Sequence, residues 1–163
     1  MNKTELDFMK EAMQLAQQAF KMEEVPVGAV LVSNNKVIGK GYNRVIKTSD
    51  PTAHAEIIAL RQAGKKIRNY RLLNTDMYVT LEPCLMCYTA LVNARIENLY
   101  FGAFDFKGGI FSTGKFEYIK NLFNHTINVK SGIMENQSAI LLKEFFKIRR
   151  GARAVEWDGL ENR

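Results

Sequence analysis

The run Val27-Gly-Ala-Val-Leu-Val-Ser33 limits the fold of this chain more than any other stretch. It carries no charge and no apolar–polar alternation, so it reads as a strand buried on both faces. Such a strand needs one layer of structure above its sheet and another below. Asn34-Asn35 behind it is a turn signal, and Lys36 to Asn43 reads as a second strand, which makes the pair a hairpin. Segments of helical spacing supply the layers. Leu6, Met9, Met13, Ala16 and Phe20 recur in steps of three and four, giving one apolar stripe. Asp50-Pro51-Thr52 reads as the entry to a second helix that ends at about Gly64, a C-cap. Asp76 to Leu81 is a third strand, and Pro83 opens a helix that ends near Asn93. Asn98 to Gly102 and Ile127 to Lys130 are further strands, and Ser138 to about Arg150 is a closing helix. Helices alternate with strands, so the expected fold is α/β: a three-layer α/β/α sandwich around a mixed five-stranded sheet. Residues 1–150 form one domain and 151–163 a polar tail. Residues 103–126 carry the least legible pattern.

The 163 residues suit one domain, and a chain of this size buries roughly two-thirds of its unfolded surface. No apolar run approaches the roughly 20 residues that span a bilayer, and Met1 to Phe20 lacks the apolar core of a signal peptide. The expectation is a cytoplasmic protein. The net charge of +6 is uneven. Residues 1–24 hold Lys3, Lys10 and Lys21 against Glu5, Asp7, Glu11, Glu23 and Glu24, a balance of −2, which leaves +8 for the remainder. Arg61, Lys65, Lys66, Arg68 and Arg71 fall between Ile57 and Thr75 with no acid among them. A basic surface of this kind attracts phosphates or is simply a solvated face.

Both cysteines lie in Pro83-Cys84-Leu85-Met86-Cys87, which follows a strand and opens a helix. A disulfide at that spacing would be strained and would be unusual in the cytosol, which leaves metal binding or redox chemistry. Residues three apart share a helix face, so both sulfurs can address one ion. The helix N-terminus favours their thiolate forms. About thirty residues upstream stands His54-Ala55-Glu56, again at a helix start. His-x-Glu followed by Pro-Cys-x-x-Cys matches the signature of the zinc nucleobase deaminases; the pattern is matched rather than derived. Its chemistry accounts for the residue types. One imidazole and two thiolates are ordinary zinc ligands, and three protein ligands leave a fourth position open to water. Two thiolates neutralise much of the ion's charge, so a general base is needed beside it, and Glu56 is the candidate. Residues two apart do not share a face of a regular helix, so His54 and Glu56 can meet only at an irregular helix start.

From about Phe8 to Arg150 the chain resembles the bacterial tRNA-specific adenosine deaminases, within the cytidine and deoxycytidylate deaminase superfamily. The resemblance rests on Glu24-Val25-Pro26-Val27-Gly28-Ala29-Val30, Gly41-Tyr42-Asn43-Arg44 and Asp50-Pro51-Thr52-Ala53-His54-Ala55-Glu56. It continues through Asn69-Tyr70-Arg71-Leu72, Tyr78-Val79-Thr80-Leu81-Glu82-Pro83-Cys84, Met86-Cys87 and Phe101-Gly102-Ala103. Later pieces are Asn124-His125, Phe145-Phe146 and Arg149-Arg150. The resemblance implies the cytidine-deaminase-like fold, one zinc per subunit and hydrolytic conversion of the wobble adenosine of a tRNA anticodon to inosine. It implies a homodimer with RNA touching both subunits. It also implies a base pocket at Val27, Asn43 and Ala55, anticodon-loop contacts at Asp105 and Asn124, and RNA-backbone contacts at Arg44, Arg149 and Arg150.

The chain departs from that pattern in places. Val45 follows Arg44 where many members have proline. Phe106-Lys107-Gly108-Gly109-Ile110-Phe111 is bulkier than the small residues often found there, and residues 110–122 match poorly. Two other readings stand beside the main one. A deaminase of a free base or nucleotide, of guanine or cytosine type, shares the zinc signature. A non-catalytic zinc-stabilised RNA-binding module needs a closed four-ligand site, with His125 as the fourth ligand.

Overall fold

In the computed structural model, which describes residues 1–161, the doubly buried run is strand β1 (Gly28–Ser33), the second strand of a five-stranded sheet. It pairs antiparallel with β2 (Lys36–Tyr42) on one side and with β3 (Thr75–Leu81) on the other. β3, β4 (Asn98–Ala103) and β5 (Asn128–Ser131) then run parallel, so the sheet is mixed, with order β2-β1-β3-β4-β5. Side chains alternate across it. Ala29, Leu31, Met77 and Val79 face one core, and Val30, Val32 and Tyr78 face the other.

Helix α1 (Glu5–Lys21) covers the second face together with α6 (Glu135–Glu161). Its start is set by a capping box in which Thr4 and Asp7 satisfy each other's backbone N–H groups. The first face is covered by α3 (Ala55–Ile67) and α4 (Leu85–Asn93), with a short helix α2 (Val45–Thr48) ahead of α3. This is the expected three-layer α/β/α sandwich. Helix α3 lies very close to β2. A Cβ on Gly41 would stand 2.1 Å from the Ala55 carbonyl oxygen, and one on Gly39 2.3 Å from that of Ala59. The helix answers with Ala55, Ala59 and Ala63, all fully buried. Small residues on both sides bring backbone against backbone and fix where α3 begins relative to the sheet edge.

The structure moves several expected boundaries. Helix α3 begins at Ala55 and not at Pro51, because Asp50 Oδ1 accepts hydrogen bonds from the Thr52 N–H (2.8 Å) and hydroxyl (2.7 Å), which holds that stretch in a turn. The helix also runs through Gly64 to Ile67 and is capped by Arg68, whose φ is 55°. Pro83 precedes α4, whose N-cap is Cys84. The closing helix continues past Arg150 to Glu161, so residues 151–161 of the expected tail are helical. Residues 162 and 163 lie outside the described residues. Among the described residues no helix is long and apolar enough to cross a membrane.

The illegible stretch 103–126 holds α5 (Lys115–Ile119), followed by a 3-10 turn at Lys120–Leu122. Ile110 is fully buried, and the Phe111 ring stacks parallel to Phe101 with centroids 5.9 Å apart. Phe111, Phe116 and Phe123 gather edge-on around Tyr88 of α4. This segment closes the α3–α4 core beyond the sheet, which accounts for its bulky residues.

Candidate active site

His54 is the N-cap of α3 and Cys84 the N-cap of α4, both in extended backbone (φ −75°, ψ 155° and φ −76°, ψ 172°). An N-cap is not bound by the helical repeat, so His54 and Glu56 converge although they are two residues apart. Cys84 likewise meets Cys87 across the first turn of α4. Neither His54 nor Cys84 uses its side chain to cap its helix, which leaves the ligand atoms free. Two helix N-termini thus point their positive ends at one place, where thiolates and a carboxylate are favoured.

His54 Nδ1 lies 3.5 Å from Cys87 Sγ and 3.7 Å from Cys84 Sγ, and the three ligand atoms are within 4.8 Å of one another. Tetrahedral zinc, with Zn–S of about 2.3 Å and Zn–N of about 2.0–2.1 Å, would separate nitrogen and sulfur ligands by about 3.5 Å. The donor set and its spacing fit zinc, and His54, Cys84 and Cys87 are the residues that hold it. His125, the fourth ligand that a closed site would require, is committed elsewhere: its Nε2 is 2.7 Å from the Ile96 carbonyl, next to the opposite end of β4. Among the described residues the three-ligand group is the metal-binding cluster, so the position toward the cavity stays open.

Titration follows from that packing. Cys84 is pulled down to about 4, mainly by the hydrogen bond it receives from the Cys87 thiol, with His54 adding to it. The hydrogen bond that the Cys87 thiol donates to Cys84, together with burial, pushes Cys87 up. Glu56 is raised to about 7, chiefly by burial, with the Cys84 charge adding to the effect. It is 4% exposed, so it holds a proton at neutral pH far more readily than a solvated carboxylate would.

A cavity of about 350 Å³ opens over these groups, lined by Glu24, Val25, Val27, Asn43, Val45, Ile46, His54, Glu56, Leu81, Glu82, Cys84 and Asp105. Asn43 ties its floor to the helix start, since its Oδ1 accepts the Ala55 N–H at 2.8 Å. That contact leaves the Asn43 amide N–H groups as donors. Ala55 is fully buried and does not line the cavity, whereas Val27 and Asp105 do.

The other expected contact residues are not among its lining. Arg44 stacks over the Tyr42 ring (4.4 Å) and donates to its hydroxyl (2.8 Å). Asn124 accepts from Arg95 at 2.9 Å, beyond the C-terminal end of α4, away from the cavity. Arg149 lies over Phe145 and reaches the Glu23 carbonyl, and with Arg150 and Arg153 it lines a recess that shares Val25 and Ile46 with the cavity.

Two carboxylates escaped the sequence reading. Glu24, 2% exposed, accepts the Lys47 N–H at 2.8 Å and pins α2 beside the cavity. Glu82, also 2% exposed, receives four hydrogen bonds. Its Oε1 accepts the N–H groups of Phe111 and Ser112, each at 2.7 Å. Its Oε2 accepts the Asp105 N–H at 2.8 Å and the Ser112 hydroxyl at 2.6 Å. Glu82 therefore shapes the loop from Asp105 to Ser112. The one available signal was its place immediately before Pro83-Cys84.

Similarity to known proteins agrees with this chemistry. The profile of the MafB19-like deaminase family matches residues 2–150. The chain is 47% identical over 150 residues to the tRNA-specific adenosine deaminase of Haemophilus influenzae, covering 91% of this chain and 86% of that protein. It is 49% identical over 145 residues to the protein of the same name from Buchnera aphidicola subsp. Schizaphis graminum, covering 88% and 94%. A solved structure from work on A-to-I editing by tRNA:A34 deaminases at the wobble position superposes with a TM-score of 0.80 at 44% identity, covering 83% of this chain and 98% of that one. A zinc triad at paired helix starts, a buried Glu56 beside it and this breadth of similarity place the chain in the tRNA-specific adenosine deaminase family.

Proposed function

We propose that this protein is a hydrolase that converts the wobble adenosine of a tRNA anticodon loop to inosine and ammonia. The observation that carries the reading is the buried Glu56 beside the His54–Cys84–Cys87 triad, in the lining of one cavity. A cavity of about 350 Å³ is at the small end of ligand sites, so the target base has to leave its stack to enter. When bound, zinc supplies a Lewis acid that acidifies water and polarises the reacting centre.

Glu56 does the proton work. Its carboxylate takes a proton from the attacking water as the oxygen adds to C6 of the purine, then delivers that proton to N1. It carries a second proton from the added hydroxyl to the exocyclic nitrogen. The C6–N6 bond then breaks, ammonia leaves, and C6 keeps the oxygen as the carbonyl of inosine. A carboxyl held near neutrality suits both directions of transfer. Asn43, with its oxygen bound to Ala55, offers N–H donors to the base. Val27 and Leu81 supply apolar walls.

Extruding a base costs a few kcal/mol, which contacts to the rest of the RNA must offset. Arg149, Arg150 and Arg153 stand beside the cavity mouth and fit that task. Asp105 at the rim fits a ribose or base contact. Asn124, remote from the cavity in one subunit, and Arg44, whose neighbours Asn43 and Val45 line it, fit RNA that continues past it. The protein acts in the cytoplasm as a homodimer on this reading. Leu85 on α4, with Tyr118 and Leu122 on the segment packed against α4, leaves the apolar surface that a second copy would cover. Sedimentation at micromolar concentration should give twice the chain mass, and a clean monomer would count against the dimer.

The activity is tested by incubating zinc-loaded protein with an anticodon stem-loop carrying adenosine at the wobble position, followed by nucleoside analysis. Inosine is expected from the stem-loop and none from free adenosine, guanine or cytidine. Turnover of a free base or nucleoside comparable to that of the stem-loop would move the protein to the small-molecule deaminases.

A further inference from the structure

The two halves of the metal triad are reached by different routes. Cys84 stands three residues past the end of β3, so a central strand of the sheet aims it. His54 stands twelve residues past the end of β2, beyond α2 and an irregular turn. A ligand on such a connection is placed less exactly than one on a strand or helix, unless the connection is braced. The brace is Asp50. Besides the two hydrogen bonds that its Oδ1 accepts from Thr52, its Oδ2 pairs with Arg61 Nη1 at 3.5 Å. Arg61 Nη2 in turn reaches the Thr52 hydroxyl oxygen at 3.5 Å. The carboxylate thus ties the turn ahead of α3 to the second turn of that same helix. Arg61 belongs to the basic run of the sequence, and the structure directs it at this carboxylate.

Backbone bonds carry the braced turn to His54. The Asp50 carbonyl accepts the Ala53 N–H at 3.1 Å, and the Thr52 carbonyl accepts the His54 N–H at 2.8 Å. On the other side the Ala53 carbonyl accepts the Arg44 N–H at 3.0 Å, which joins the turn to the end of β2. We propose that Asp50 is a positioning residue for zinc, which fixes the turn from which His54 reaches the ion. Asp50 is outside both the ligand cluster and the cavity lining, so it acts only through the turn. The proposal rests on the zinc triad and not on the identity of the substrate. Its failure is therefore separate from failure of the RNA reading. An exposed ion pair contributes little by itself, so the two bonds from Thr52 carry the larger share. An asparagine Oδ1 can accept both of them.

The test compares zinc-loaded wild type, Asp50→Ala, Asp50→Asn and Thr52→Val. Zinc affinity is measured by competition with a chelator, and the absorption spectrum of the cobalt-substituted protein reports ligand geometry. Asp50→Ala should bind zinc about 10- to 100-fold more weakly, the usual worth of a residue that orients a metal ligand, and should shift the cobalt spectrum. Asp50→Asn should stay within about fivefold of wild type, the most that an exposed ion pair is worth. Thr52→Val keeps its backbone N–H and loses its hydroxyl, so it should fall between wild type and Asp50→Ala. Wild-type zinc affinity and cobalt spectrum in Asp50→Ala, whatever its resistance to denaturant, would make Asp50 merely structural and overturn the proposal. A loss in Asp50→Asn as large as that in Asp50→Ala would also overturn it, since charge and not the turn would then be the cause. If Asp50→Ala does not fold, Thr52→Val decides: weakened zinc with a shifted spectrum upholds the brace, and wild-type behaviour overturns it.

Discussion

The two helix starts that build the zinc site and the loop from Phe104 to Ser112 that borders it are made on opposite principles. At the helix starts the reactive groups are adjacent in sequence, and backbone packing places them. Gly39 and Gly41 let α3 touch β2, and the N-cap geometry of His54 and Cys84 aims the ligands. In the loop the groups that matter are held from a distance. Glu82 on the far side of Cys84 gathers Asp105, Phe111 and Ser112, and α6 supplies the facing wall from more than thirty residues on. On the proposed function the first region holds the reacting groups and the second borders the substrate. The difference teaches that one can be changed without the other.

The strongest way to break that division is at Glu56. Glu56→Ala should lower turnover by about 10²- to 10⁴-fold, the usual worth of a general acid–base group. Zinc content by elemental analysis and stem-loop affinity should hold, because Glu56 is not a metal ligand. Loss of zinc from this variant, or turnover near wild type, would void its assigned role. Salt strikes the other half. Stem-loop affinity should drop on the order of a thousandfold between 50 and 200 mM salt if about six phosphates are contacted, while zinc content holds. Replacing Arg149 and Arg150 with alanine should flatten that slope by about one per residue, and an unchanged slope would take both off the RNA.

Smaller effects probe the supports. Gly41→Ala puts a methyl group into the Ala55 carbonyl. It should cost about 1–3 kcal/mol or more in denaturant unfolding and weaken zinc retention, because it displaces the start of α3. A stable variant with full zinc would show that close packing does not set the site. Glu82→Gln should cost about 1–3 kcal/mol, since either rotation of the amide turns its NH₂ toward a backbone N–H. The defect should appear as a raised KM for the stem-loop with zinc intact. An equal fall in turnover at saturating substrate would tie the loop to the chemistry and blur the contrast between the regions.

Legibility followed the same divide. His54, Cys84, Cys87 and Glu56 could be read because their chemistry sits in two short motifs, each next to a strand or helix signal. The hairpin and the doubly buried β1 could be read because hydrophobic pattern reports burial directly. Residues 103–126 could not, since Ile110, Phe111, Phe116 and Phe123 pack into the α4 core from a loop without any helical or strand period. The end of α3 was misplaced because Gly64 is a helix-ending residue by its own preference, yet the helix continues past it to Arg68.

The sequence by itself determined the layered α/β architecture and the identity of the metal ligands, and it named the proton carrier proposed above, because burial pattern and ligand chemistry are properties of single residues and their near neighbours. Only the tertiary structure decided that His54 and Glu56 converge and that His125 is spent on the Ile96 carbonyl. It alone placed Glu82 at the root of the 105–112 loop and left Phe106 open beside the cavity. These outcomes depend on which backbone groups meet across the sheet and between helices, and contacts between residues far apart in sequence leave no period or motif in it.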